Sequence, residues 1–175
     1  MLRHSFRSRR SAPVILLLAI AIVGSVESYL AEAKTSAVLL PSGDGLELQF
    51  ADGTTRDKTV IPLHHVGDIR YFSTGVGLEE READYPAYPL KIVLVVGGKP
   101  FLARVAVTIA DEREAVKLVI PKEEVTGPWL YVDLPPGTYH ISGVWEGQTQ
   151  TNKTVRVQKG VTNTIYLRWP ERRGH

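Results

Sequence analysis

Cysteine is absent from the 175-residue chain, which excludes a disulfide framework, a thiolate-bound metal and a cysteine nucleophile together. No Gly-x-Ser-x-Gly elbow occurs, and Ser42, Ser73 and Ser142 stand in turn or strand contexts, so serine nucleophile chemistry has no motif to rest on. Helical periodicity is nearly missing beyond the N-terminus. The apolar run PVILLLAIAIVG, residues 13–24, is well short of the roughly 20 residues that cross a bilayer as a permanent helix.

What precedes and follows that run gives it a meaning. Arg3, Arg7, Arg9 and Arg10 form a basic patch before it, and a more polar stretch ends in Ala31-Glu32-Ala33. Basic region, short apolar region and small residues at two alternate positions are the layout of a secretory signal. Cleavage is expected after Ala33, with export of the mature chain, the periplasm being the expected destination. Secretion into the medium, or retention in the inner membrane by an uncleaved signal anchor, are the alternatives, and the anchor would be the chain's one link to a membrane.

Charge imbalance disappears with the signal. Of 21 basic and 19 acidic side chains, residues 1–33 hold four arginines and two glutamates, leaving seventeen of each in the mature chain. A neutral domain lacks the clustered cations that nucleic-acid binding needs. No nucleic-acid partner is expected.

The mature chain is full of two-residue periods. Residues 36–40, 46–50 and 58–63 are short apolar-rich runs separated by Ser42-Gly43-Asp44-Gly45 and Asp52-Gly53, a small β-meander. From His64 to Pro89 alternation fails, and the stretch reads as a connecting loop with one helical turn near residues 78–83. Alternation then returns in seven runs, at 91–96, 101–109, 115–120, 129–134, 138–145, a run ending in Val155 and Val157, and 165–169. Turns such as Glu146-Gly147 and Lys159-Gly160 separate them. The expected fold is all-β: a signal peptide helix at 1–33, a β-meander extension at 34–72, a linker at 73–89, a seven-stranded immunoglobulin-like β-sandwich at 90–169 and a tail at 170–175.

The stretch WLYVDLPPGTY, residues 129–139, carries the sharpest local signal. Prolines have no amide hydrogen for a ladder, so Pro135-Pro136 ends the strand that Leu134 closes. Gly137 is expected to take a backbone angle other residues avoid, and Tyr139 to pack back over a structural corner.

Gly98-Lys99-Pro100-Phe101, Val105-Ala106-Val107, the run from Gly127 to Tyr139 with its Leu-Pro-Pro-Gly-x-Tyr corner, Val155-Arg156-Val157 and Ile165-Tyr166-Leu167 resemble the carboxypeptidase regulatory-like domains. These are transthyretin-like sandwiches, grouped with carbohydrate-binding-like folds. Together with Gly75-Val76-Gly77-Leu78-Glu79-Glu80-Arg81 the layout also resembles small exported proteobacterial proteins. The resemblance implies a module that binds, spaces or stabilises, without catalysis or a cofactor. Related pilin-type and adhesin sandwiches carry an internal Lys–Asn isopeptide. Lys91 lies in the matching first strand, but Asn163 lies at the start of the last strand rather than its end.

Other candidates for chemistry have ordinary explanations. His64 and His65 are adjacent and on a strand face opposite sides, and His64 with Asp68 lacks further ligands, so no metal is expected. Glu79, Glu80, Glu82 and Asp84 lack the alternating Asp/Asn–Gly loop that wraps calcium and read as a solvated acidic loop. The remaining feature is an aromatic stripe. With Leu130 and Val132 inward, Trp129, Tyr131 and Asp133 point outward, as do Tyr166 and Arg168, forming a face for a protein partner or for sugar rings. Burial of these rings beneath the N-terminal strands or the 75–89 loop is the expectation preferred to an open face, since the extension has too few apolar residues for a core of its own. The sequence therefore predicts a non-enzymatic binding or structural module of the cell envelope, engaging another envelope protein or, alternatively, a glycan.

Overall fold

The computed structural model describes residues 34–50, 60–97, 99–113, 115–151 and 154–171, all within one compact unit, Glu32–His175. The expected signal segment and the Asp52-Gly53 turn lie outside the described residues. No helix among the described residues is long and apolar enough to cross a membrane.

The described chain is all-β apart from one short helix. A first antiparallel sheet joins β1 (Ser36–Leu39), β2 (Gly45–Gln49) and β3 (Val60–Pro62). A second holds β4 (His64–Val66), β5 (Ile69–Thr74), β6 (Leu90–Val96), β7 (Lys99–Phe101), β10 (Trp129–Asp133) and β14 (Asn163–Trp169). Its order is β14-β6-β10-β5-β4, with β7 also pairing β6. A third contains β8 (Ala106–Asp111), β9 (Val116–Ile120), β11 (Gly137–Trp145), β12 (Gln148–Thr151) and β13 (Val155–Val157). Its order is β12-β11-β8-β9, with β13 also on β11. Helix α1 (Leu78–Glu82) follows β5, within the helical turn expected at 78–83.

Alternation explains the layers. Leu90, Ile92, Leu94, Leu130, Val132, Leu167 and Trp169 of the second sheet share one core with Val107, Ile109, Leu118, Ile120 and Ile141 of the third. Each such side chain, fully buried, contributes about 1.5–3 kcal/mol of hydrophobic stabilisation. Gly143 keeps this core closed, since a Cβ there would lie 2.9 Å from Leu167 Cδ1 and 3.0 Å from Trp169. A second core lies on the other face of the second sheet. There Phe72 and Tyr131 pack with Ala37, Leu46, Leu48 and Ile61 of the first sheet and with Leu63, Ala83 and Tyr88.

Several expectations need correction. Residues 64–74 are not loop: β5 lies between β10 and β4, in register from Trp129↔Thr74 to Asp133↔Arg70. The main sheet therefore recruits strands from the supposed extension. Among the described residues, 90–169 holds nine strands rather than the expected seven. The run 101–109 is divided because Arg104 adopts a positive φ of 58°, and the run before Val157 is split into β12 and β13. Gly137 is not among the positive-φ residues. Its role is room, since a Cβ there would lie 3.3 Å from the Tyr139 ring.

Candidate functional site

The expected stripe is dispersed across three environments. Tyr131 is 7% exposed, stacked on Phe72 with ring centroids 4.8 Å apart and tilted against Tyr85 at 5.2 Å. It does not form a surface, because the first sheet and the segment after α1 cover it. Burial raises the Tyr131 phenol well above its ordinary range, with Tyr85 adding to the shift. Trp129 is half-buried beside it. Lys91 Nζ stands 3.5 Å from the Trp129 ring centroid and 5.1 Å from that of Tyr131, an attraction that strengthens as water is excluded. Burial lowers the Lys91 pKa.

Asp133 is committed to an ion pair. Arg70 donates from Nη2 at 2.6 Å and Nε at 3.2 Å to Asp133 Oδ2, because β5 and β10 place the two residues opposite each other. The hydrogen bond to Asp133 holds the guanidinium more firmly protonated.

Tyr166 and Arg168 stay at the surface. Tyr166 is 50% exposed, and the guanidinium carbon of Arg168 lies 4.9 Å from its ring centroid. Both belong to β14, which runs parallel to β6 at the edge of the second sheet, from Asn163↔Leu90 to Trp169↔Val96. The Asn163 amide donates to the Pro89 carbonyl and the Gly97 amide to that of Trp169, at 2.9 and 2.8 Å. In a parallel ladder these bonds direct the backbone groups of Asn163, Ile165, Leu167 and Trp169 toward β6. Those of Thr164, Tyr166 and Arg168 consequently point away from the sheet, and no strand among the described residues pairs with them.

The other sheet edges are shorter or guarded. β1 is bridged by the Asp84 backbone, which pairs with Thr35 and Ala37. β3 contains Pro62 and, like β4, has three residues. β9 carries a register shift between Ile109 and Ala110 on its partner and an edge lysine, Lys117, bound at 3.0 Å to Asp111. Bulges, prolines, short strands and lysines are the usual defences of an edge. The seven residues of β14 have none of them.

Tyr139 packs back over the corner as expected, without the unusual backbone angle expected of Gly137. The Tyr139 hydroxyl donates to the Pro135 carbonyl at 2.9 Å. Leu134 is buried, whereas Pro135 and Pro136 are exposed. Beside them lies an open cleft of about 360 Å³, lined among others by Asp68, Tyr88, Asp133, Pro135, Lys159 and Thr162. Sequence reading missed this cleft because its walls come from segments far apart in the chain; the Pro-Pro and Lys-Gly turns were its visible parts.

In the acidic loop Glu79, Glu82 and Asp84 are exposed, as expected, and Glu80 alone is drawn inward. The Glu80 carboxylate accepts from the amides of Gly75 and Val76 at 2.6 and 3.0 Å and from Thr74 Oγ1 at 2.9 Å. The adjacent histidines point apart, as expected on a strand. His64 stacks on Tyr71 and lies 3.7 Å from Glu124, which accepts from the Tyr71 hydroxyl. His65 Nε2 is 3.0 Å from the Gly43 carbonyl. No group of three or more His, Asp or Glu side chains positioned for a metal occurs among the described residues. Ser73 Oγ both donates to the Gly127 carbonyl and accepts from its amide, at 3.0 and 2.9 Å. Lys91 and Asn163 occupy opposite faces of the second sheet, Lys91 beside Trp129 and Asn163 in phase with Leu167 and Trp169. An isopeptide between them has no geometry.

No protein-family model matches the chain, and no curated protein or solved structure matches it.

Proposed function

We propose that this chain is an exported, non-enzymatic module of the bacterial cell envelope that engages another protein by strand addition along β14. Its framework is a transthyretin-like sandwich of the carboxypeptidase regulatory-like kind, elaborated by β4 and β5 and by the covering first sheet. Residues 1–33 serve as the export signal, and the processed chain works in the periplasm.

The observation that carries this reading is the seven-residue edge whose alternate backbone groups at Thr164, Tyr166 and Arg168 lack a strand partner among the described residues. An extended segment laid there would gain main-chain hydrogen bonds, with Tyr166 and Arg168 supplying side-chain selectivity. Glycan binding has weaker support, because Tyr131 is buried and Trp129 is engaged by Lys91.

The test is capture from envelope extract with the processed wild-type chain and with Tyr166→Pro. Proline removes one outward amide donor without touching the bonds to β6. A stoichiometric protein retained by wild type and lost with the folded variant supports strand addition. Equal retention by both, or recovery of polysaccharide alone, overturns it.

A further inference from the structure

We infer that the strand added to β14 is β14 of a second copy, paired antiparallel about a two-fold axis at Tyr166. This rests on the strand-addition reading and narrows it to one partner.

Three features of the edge favour self-pairing. The first is the spacing of its open groups. Thr164, Tyr166 and Arg168 each direct both an N–H and a C=O outward, and an antiparallel ladder uses such alternate residues as its hydrogen-bonded pairs. Centred on Tyr166, the register sets Tyr166 opposite the partner's Tyr166, Thr164 opposite the partner's Arg168 and Arg168 opposite the partner's Thr164. Every outward donor then meets an outward acceptor.

The second feature is charge. Like charges directly opposite each other oppose strand pairing. Arg168 is the one charged side chain on β14, and this register places it across from a threonine. Continued past the strand, the register sets exposed Glu171 opposite the partner's Val161, two residues from the partner's Lys159. The ends of the contact thereby bring acid toward base.

The third feature is the side-chain surface. Tyr166 is half exposed and its ring sits under the guanidinium of its own Arg168. Two such rings meeting at the axis form an aromatic cross-strand pair, among the more favourable side-chain pairs in sheets. A two-fold contact requires one patch to be complementary to itself. An edge with one central aromatic residue, one cation and an opposing hydroxyl meets that condition.

The experiment is sedimentation velocity over a wide concentration range on the processed chain, with Tyr166→Pro and Tyr166→Lys alongside. Wild type is expected to pass from monomer to dimer as concentration rises. Tyr166→Pro deletes a donor at the axis from each copy, and Tyr166→Lys sets two ammonium groups opposite each other while leaving the backbone intact. Either change is expected to weaken association by roughly 100-fold or more. Circular dichroism establishes that each variant is folded, and if Tyr166→Pro fails to fold, Tyr166→Lys decides. A wild type that stays monomeric throughout overturns self-pairing while leaving strand addition to the capture experiment. A dimer that persists undiminished in a folded Tyr166 variant also overturns it, because the contact then lies elsewhere.

Discussion

The ammonium of Lys91 stands 3.5 Å from the centre of the Trp129 ring, and Gly75 closes on the same indole. A Cβ at Gly75 would lie 3.0 Å from Trp129 Cδ2, and the backbone there has φ +97°. The loop after β5 is thereby pressed against an aromatic residue of β10, with the Glu80 carboxylate holding the turn in place.

Gly75→Ala is strained both by its backbone angle and by the ring. It is expected to cost about 2 kcal/mol or more and to change the tryptophan emission. Urea denaturation followed by fluorescence reads both. An unchanged midpoint would show that the loop is not fixed against Trp129.

Gly127 is tighter still, since a Cβ there would stand 2.3 Å from the Thr74 carbonyl oxygen. The obstacle is backbone, which has little freedom to retreat. Gly127→Ala is expected to destabilise the fold by roughly 3 kcal/mol, read as a lower denaturation midpoint. A neutral substitution would contradict the close approach of Gly127 to the Thr74 backbone.

At the Pro-Pro corner, Tyr139→Phe removes the hydroxyl that donates to Pro135. The expected cost is about 1 kcal/mol, because the exposed carbonyl regains water. Combined with Gly137→Ala in a double-mutant cycle, it reports whether glycine and ring act together. Strict additivity would contradict the close approach of Gly137 to Tyr139.

Buried tyrosines set an alkaline limit. Burial pushes Tyr85 up to about 12, and Tyr71, Tyr88, Tyr131 and Tyr139 are also raised, in each case first by burial. A phenol whose folded pKa lies above its unfolded value stabilises the fold fully below the unfolded value. That stability is lost as pH rises through the folded value. Stability is therefore expected to fall from about pH 10 upward. Tyr85→Phe should make the decline shallower between about pH 10 and about 12. Denaturant midpoints against pH, with tyrosinate absorbance, measure this. A flat profile across that window would contradict the burial.

Which parts of this were legible in the sequence follows from how each strand is satisfied. Residues 129–134 and 138–145 alternate because one face of each meets a contiguous apolar core, and the corner between them is written in Pro135, Pro136 and Tyr139. β5 escaped detection because its polar residues are answered by partners outside the strand, two of them far along the chain and one in the following loop. Arg70 meets Asp133, Ser73 meets Gly127 and Thr74 meets Glu80, so a central strand, IRYFST, lacks a clean period. On the outward side of β10 it is the expected burial beneath the N-terminal strands that is found, rather than an open aromatic face. Trp129 and Tyr131 do leave the first core, but they enter a second one supplied by β1 to β3. The free edge at β14 was invisible because sequence alone does not say which strands end a sheet.

Amide hydrogen exchange along β14, resolved by residue, reads the open edge itself. At low concentration the amides of Ile165, Leu167 and Trp169 should be protected and those of Thr164, Tyr166 and Arg168 should exchange rapidly. The latter three should gain protection as the strand partner is supplied. Protection of all six at every concentration would mean that the edge is already occupied within the chain, and strand addition along β14 would be wrong.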